Sequence, residues 1–201
     1  MTCTFYEAGH ILGSAISIIQ ARENGRSYNI AFSGDLGRFD KPIIKDPALQ
    51  FADEHKDIDL LIMESTYGDR YHPAQEEAND RLEHIVNETC RRGGTLIVPA
   101  FAVGRTQELV YRLHQLVQAR DIPPDLPVFV DSPLAVSITR VFGEHPEVYD
   151  RDAQEDFLQT GKTPFSFGRV YFVTSVEESM RLKREKKPHI VLAASGMCEA
   201  G

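Results

Sequence analysis

Phe32-Ser33-Gly34-Asp35-Leu36-Gly37-Arg38, read with Gly9-His10-Ile11-Leu12-Gly13-Ser14-Ala15 upstream, decides how this chain is understood. Each stretch sets one good metal ligand, Asp35 or His10, beside glycines where an apolar run begins or ends. Such positions are rims of sheets, where side chains converge on a cleft rather than a core. Glu64 is a third case: it ends Leu60-Leu61-Ile62-Met63 and opens Ser65-Thr66-Tyr67-Gly68. Singly, each has an ordinary reading, as a hydrogen-bonded histidine, a turn with a capping Asp, or a cap after a strand. Together the residues leave two readings open: separate turn caps, or a cleft that holds zinc or a hard cation.

Working outward, residues 2–7, 15–21, 28–32 and 59–63 are short runs rich in β-branched and aromatic residues, and Asn24-Gly25 is a strong hairpin turn signal. The texture then changes. Pro73 opens a helical stretch carrying Leu82, Ile85, Val86 and Thr89 at helical spacing, and Gly93-Gly94 ends it. Residues 104–120 make the cleanest helix, with Leu109, Val110, Leu113, Leu116 and Val117 in one apolar stripe. Strands are expected at 95–98, 128–130, 171–174 and 190–193, alternating with helices at 134–142, 153–158 and 177–186. Strands apolar on both faces that alternate with helices mean a parallel sheet covered on both sides. The expected class is α/β, with a β-rich region over 1–72 and an α/β domain over 73–201.

Composition narrows the function. No run approaches the roughly 20 apolar residues that span a bilayer, so no membrane role is expected. Met1 to Gln20 shows no basic leader ahead of an apolar core, and Cys3, Cys90 and Cys198 form no C-x-x-C pair. A cytoplasmic protein is expected. A net charge of -8 argues against wholesale electrostatic capture of nucleic acid. It does not bar an enzyme that grips a few phosphates locally, because charge is screened beyond about 8–10 Å. The basic run from Arg181 to Lys187 has two readings, a solvated helix face, which is preferred, and a dedicated RNA-binding surface.

Residues 5–15, 32–38 and 63–70 (Met63-Glu64-Ser65-Thr66-Tyr67-Gly68-Asp69-Arg70) resemble the metallo-β-lactamase-fold nucleases of the β-CASP group. These are relatives of the cleavage and polyadenylation endonuclease and of J-type ribonucleases. The likeness continues through residues 99–109 (Pro99-Ala100-Phe101-Ala102-Val103-Gly104-Arg105-Thr106-Gln107-Glu108-Leu109), Asp131-Ser132-Pro133-Leu134-Ala135 and Ala194-Ser195-Gly196-Met197. It implies a partial metallo-β-lactamase αββα sandwich followed by a β-CASP parallel-sheet α/β domain. It also implies a zinc-dependent phosphodiesterase acting on single-stranded RNA, with two zinc ions in the intact enzyme. By this resemblance His10 is a ligand of one zinc, and Asp35 is the carboxylate shared by both and a catalytic residue. Glu64 is an acidic catalytic residue that pairs with a later histidine in proton transfer to the leaving oxygen. Ser195 and Gly196 form a turn that holds phosphate, and Ser132 is grouped with them as a substrate contact. Arg105, opening the best helix, has two readings: a phosphate contact at the helix N-terminus or a surface salt bridge.

The chain departs from the family pattern in its ligand set. The upstream His-x-His-x-Asp-His motif does not precede His10, and the later histidines do not follow Gly196 before Gly201. His55, His72, His84, His114, His145 and His189 match no ligand motif. The expectation is therefore an interior fragment of a longer enzyme, with exposed apolar edges, weak or absent zinc binding and no RNA cleavage of its own. The parent is expected to form a homodimer. Two rivals remain: a non-catalytic β-CASP module that binds RNA or a partner, and a small-molecule metallo-hydrolase.

Overall fold

Asn24 and Gly25, with φ of 49° and 80°, turn β2 (Ala15–Glu23) back onto β3 (Arg26–Phe32) in register from Ser17↔Phe32 to Glu23↔Arg26. Two residues in left-handed backbone match the twist of a hairpin, which is why Asn-Gly was legible there. β1 (Thr2–Glu7) pairs antiparallel with β2, and β4 (Leu60–Ile62) pairs parallel with β3, giving a four-stranded sheet in the order β1-β2-β3-β4. Ile18 and Ala31 are cross-strand partners and both are buried. β4, at the sheet's edge, leaves Leu60, Leu61 and Ile62 exposed.

This computed structural model describes residues 1–71, 75–161, 163, 165 and 167–194. They fall into two units: Met1–His72 with Val148–Ala153, and Pro73–Glu147 with Gln154–Gly201. The partial sandwich expected of residues 1–72 is a single sheet here, with one 3-10 turn (Asp53–His55) and no α-helix in residues 1–71. Residues 148–153 join this first unit although the sequence placed them in the second region. Lys45 N–H donates to the Val148 carbonyl (3.2 Å), and Ile44 bridges antiparallel to Tyr149. Just ahead of them Ile43 holds φ of 85°, where a β-branched side chain pays about 1–2 kcal/mol. Its side chain is 2% exposed, and burying an isoleucine is worth about 1.5–3 kcal/mol. Burial outweighs the strain.

The second unit holds a parallel sheet of β5 (Thr95–Pro99), β6 (Val128–Asp131), β7 (Val170–Val173) and β8 (His189–Ala193), in the order β5-β8-β6-β7. The α/β class is as expected. Helices α1 (Gln75–Arg91), α2 (Arg105–Ala119), α3 (Pro133–Glu144), α4 (Arg151–Thr160) and α5 (Val176–Leu182) alternate with these strands; α4 begins within the first unit's segment. The inner strands β6 and β8 bury Val128, Val130, Ile190 and Leu192, and α2 buries Val110 and Leu113. The outer strands differ from the expectation of burial on both faces: Ile97, Tyr171 and Phe172 are exposed, because an outer strand has cover on fewer sides. α5 stops at Leu182 rather than 186. Its start is fixed by a capping box, Ser175 with Glu178, and beyond it like charges crowd Lys183, Arg184, Lys186 and Lys187 just ahead of Pro188.

Candidate functional site

The turn between β1 and β2 is built to present His10. Gly9 takes φ of 64° and donates its N–H to Glu7 Oε1 (2.9 Å). The amides of His10 and Ile11 both donate to Ser14 Oγ (3.1 and 3.2 Å), so one hydroxyl satisfies two turn donors. The His10 carbonyl accepts from Lys41 Nζ at 2.6 Å. Four bonds thus fix the backbone, while the imidazole stays half-exposed.

Asp35 follows β3 in a loop fastened to the end of β4. Ser33 N–H donates to the Ile62 carbonyl (2.9 Å), Glu64 N–H donates to Ser33 Oγ (3.1 Å), and Leu36 N–H donates to Glu64 Oε1 (2.6 Å). Ser33 is buried and its hydroxyl also donates to the Gly34 carbonyl (2.6 Å). Its part in holding this loop was not foreseen; a serine buried at a strand end is the available signal. The Thr66 hydroxyl, then the Leu36 amide, hold the Glu64 carboxyl below the usual carboxylate range. Glu64 is therefore ionised at neutral pH and works as an acceptor that braces the Asp35 loop.

The structure brings two of the expected ligands together. His10 Nε2 lies 3.9 Å from Asp35 Oδ2, with the Asp35 side chain 75% exposed. Two donors each about 2.1 Å from a tetrahedral ion stand about 3.4 Å apart, so half an ångström of side-chain movement would let both reach one ion. An imidazole and a carboxylate are also a donor set that zinc accepts. Among the described residues, however, no group of three or more His, Cys, Asp or Glu side chains is placed to hold a metal. His55, by contrast, is buried with its Nδ1 2.6 Å from the Tyr6 hydroxyl, a structural pairing.

The second unit's expected residues stand as follows. Arg105 opens α2 with its guanidinium 58% exposed and Nη1 donating to Glu108 Oε2 at 3.0 Å. The salt-bridge reading of Arg105 matches this pairing, and much of the guanidinium is exposed. Ser132 is buried, and its Oγ accepts the Ala135 N–H (3.1 Å) as the N-cap of α3; the hydroxyl serves the helix. Ser195 and Gly196 lie outside the described residues. The sequence reading missed a buried polar network on α2, behind the apolar stripe. Glu108 pairs with Arg112 (3.0 Å) as well as Arg105, and Arg112 reaches Asn79 Oδ1 on α1. Gln107, fully buried, accepts from Gly104 N–H (2.8 Å) and donates to Thr139 Oγ1 (2.9 Å). The Glu108-to-Arg112 spacing is a helix i,i+4 pair, the one sign of it in the sequence.

Residues 106–201 match the Beta-Casp domain. Along its length the chain is 34% identical over 200 residues to a transcription termination factor FttA of Methanosarcina mazei, covering 98% of this chain and 30% of that protein. It is 35% identical over 206 residues to Ribonuclease TTHA0252 of Thermus thermophilus, covering 100% of this chain and 44% of that one. A second FttA, from Methanocaldococcus jannaschii, is 33% identical over 201 residues, 98% of this chain and 30% of its own length. The chain thus spans less than half the length of these relatives. Relatives align along nearly all of the 201 residues, and from the second residue of α2 onward the chain belongs to the Beta-Casp domain family.

Proposed function

We propose that this chain is part of a zinc-dependent phosphodiesterase that cleaves single-stranded RNA, and that these 201 residues alone do not cut it. The observation that carries the reading is the His10–Asp35 pair, 3.9 Å apart on two loops that the fold holds firmly. A relative named as a ribonuclease supports the substrate class. Two ions of four-coordinate zinc need more protein ligands than this pair, which is why the isolated chain is expected to bind zinc weakly and stay inactive.

His10 would hold one ion, and Asp35, with two carboxylate oxygens, would be shared between two. What zinc supplies when bound is an acidified water and positive charge beside the phosphoryl oxygens. The chain's own residues do the positioning. Ser14 and Lys41 fix the His10 backbone, and the ionised Glu64 keeps the Asp35 loop in place through Leu36 N–H and is available to take a proton from a histidine partner. Arg105, anchored through one nitrogen on the buried Glu108, offers its remaining N–H groups to a phosphate. Ser132 is occupied as a cap, while Ser195 and Gly196 remain proposed phosphate contacts. No helix among the described residues is long and apolar enough to cross a membrane. We place the protein in the cytoplasm, and we leave a homodimer as part of the proposal.

The test compares the 201-residue chain with the natural gene product on a labelled single-stranded RNA, with and without zinc. The chain alone should give no cleavage, and His10→Ala or Asp35→Ala in the gene product should lower the rate by at least about a hundredfold. Robust cleavage by the isolated chain, or full activity in either variant, would overturn the reading. The non-catalytic module is favoured instead if the gene product binds RNA without zinc and never cuts it.

A further inference from the structure

Residues 37–48 form a strap across the backbone that presents His10. Gly37 N–H donates to the Ala8 carbonyl (2.7 Å), Lys41 Nζ to the His10 carbonyl (2.6 Å), and Ala48 N–H to the Glu7 carbonyl (2.9 Å). Pro47 lies so close to Gly9 that a Cβ there would stand 2.6 Å from Pro47 Cδ. The strap also closes on itself, with Asp40 N–H donating to Asp46 Oδ1 (2.9 Å). Every residue from Glu7 to His10 is therefore touched by the strap or bonded next to a residue that is.

The strap's midpoint is Ile43, in left-handed backbone, and Asp150 grips it twice. Ile43 N–H donates to Asp150 Oδ2 at 2.6 Å, and Asp150 N–H returns a bond to the Ile43 carbonyl at 2.8 Å. The other carboxylate oxygen accepts Ala153 N–H (2.7 Å), in the position of an N-cap for α4. One half-buried carboxylate thus ties a strained strap residue to the start of a helix 107 residues further along. Tyr149, 1% exposed, packs the bridge to Ile44 beside it.

We propose that Asp150 is a positioning residue: by clamping Ile43 it holds the 37–48 strap against the His10 turn, and so sets where the imidazole stands relative to the Asp35 carboxylate. Its importance for catalysis rests on the proposed reading of His10 and Asp35 as zinc ligands; the mechanical link does not.

The experiment is NMR on the full 201-residue chain, without metal or RNA, comparing Asp150→Ala and Asp150→Asn. In Asp150→Ala the Gly37 and Ala48 amides should exchange with solvent at least about tenfold faster, and the His10 ring nitrogen resonances should move. The Ile19 and Ile30 amides of the β2–β3 ladder should exchange as before, which a general loss of stability would not allow. Asp150→Asn keeps an acceptor for Ile43 N–H and should stay within about twofold of the unaltered chain. If Asp150→Ala does not fold, Asp150→Ser takes its place under the same criteria: serine can still cap Ala153 but is too short to serve Ile43. Unchanged Gly37 and Ala48 exchange with an unmoved His10 ring overturns the proposal. So does acceleration that is uniform across strap and ladder. Because no readout involves zinc or RNA, failure here is separate from failure of the nuclease reading.

Discussion

Gly37 passes so near Gly9 that a Cβ added to Gly37 would lie 1.7 Å from the Gly9 carbonyl oxygen. Backbone meets backbone there, so nothing flexible can give way. Gly37→Ala should destabilise the chain at or above the upper end of the about 1–3 kcal/mol typical of overpacking. Gly13 offers the comparison: a Cβ meets nothing within 4 Å, and only its φ of 81° is costly. Gly13→Ala should cost about 1–2 kcal/mol. The two urea midpoints, measured side by side, check the difference.

Asp150 carries a pH signature. Burial is the main influence and pushes its carboxyl up; the Ala153 and Ile43 amides oppose it, and the Asp152 and Asp46 charges add to it. A raised acid contributes stability that is fully present below its unfolded value, about 3.9, and is lost as pH rises through the folded value. Asp150→Asn keeps one of the two acceptor oxygens and removes the charge. Its urea midpoint should exceed that of the unaltered chain at pH 7, and the difference should shrink to nothing near pH 4.

Glu64 has the opposite sign. Its folded value is lowered, first by the Thr66 hydroxyl and then by the Leu36 amide, so its contribution is present above the unfolded value and is lost as pH falls through the folded one. Thermal unfolding of Glu64→Gln should therefore fall below that of the unaltered chain at pH 6, and the gap should close as pH falls through the lowered folded value.

On α2, two arginines bind the same glutamate at 3.0 Å and should behave differently. Arg112, 8% exposed in its side chain, shares a buried setting with Glu108, so Arg112→Ala should cost about 3 kcal/mol by stranding that charge. Arg105 is 58% exposed, and Arg105→Ala should cost no more than about 1 kcal/mol. Guanidinium chloride denaturation of both variants makes the comparison. If Arg105 contacts phosphate as proposed, its variant should weaken RNA binding while hardly changing the midpoint.

What the sequence made legible was local. Asn24-Gly25 set the hairpin, and Gly104 and Arg120 bracket α2 where its stripe begins and ends. His10 and Asp35 stood out because glycines mark the turns that carry them. The α2 network did not show, because the burial of Gln107, Glu108 and Arg112 is decided by Thr139 and Asn79 on other helices. The capping role of Ser132 was not foreseen, because a serine after a strand looks alike whether or not it caps a helix. The place of Tyr149 and Asp150 was hidden for a similar reason: their partners are Ile44 and Ile43, and the residues around them are polar and irregular. A pairing that distant leaves no periodic trace.

That pairing also bears on how the protein is made. The chain enters its first unit at residue 1, leaves it after residue 72, and returns for residues 148–153. During synthesis the strands β1 to β4 emerge early, yet Ile43 and Ile44 lack their partners Asp150 and Tyr149 until those leave the ribosome. Roughly 100 residues, or about 5–20 seconds of elongation, separate the two events. The first unit is thus completed after α1, α2 and α3 have been translated, and a nascent chain halted before residue 148 would still carry an unfinished strap.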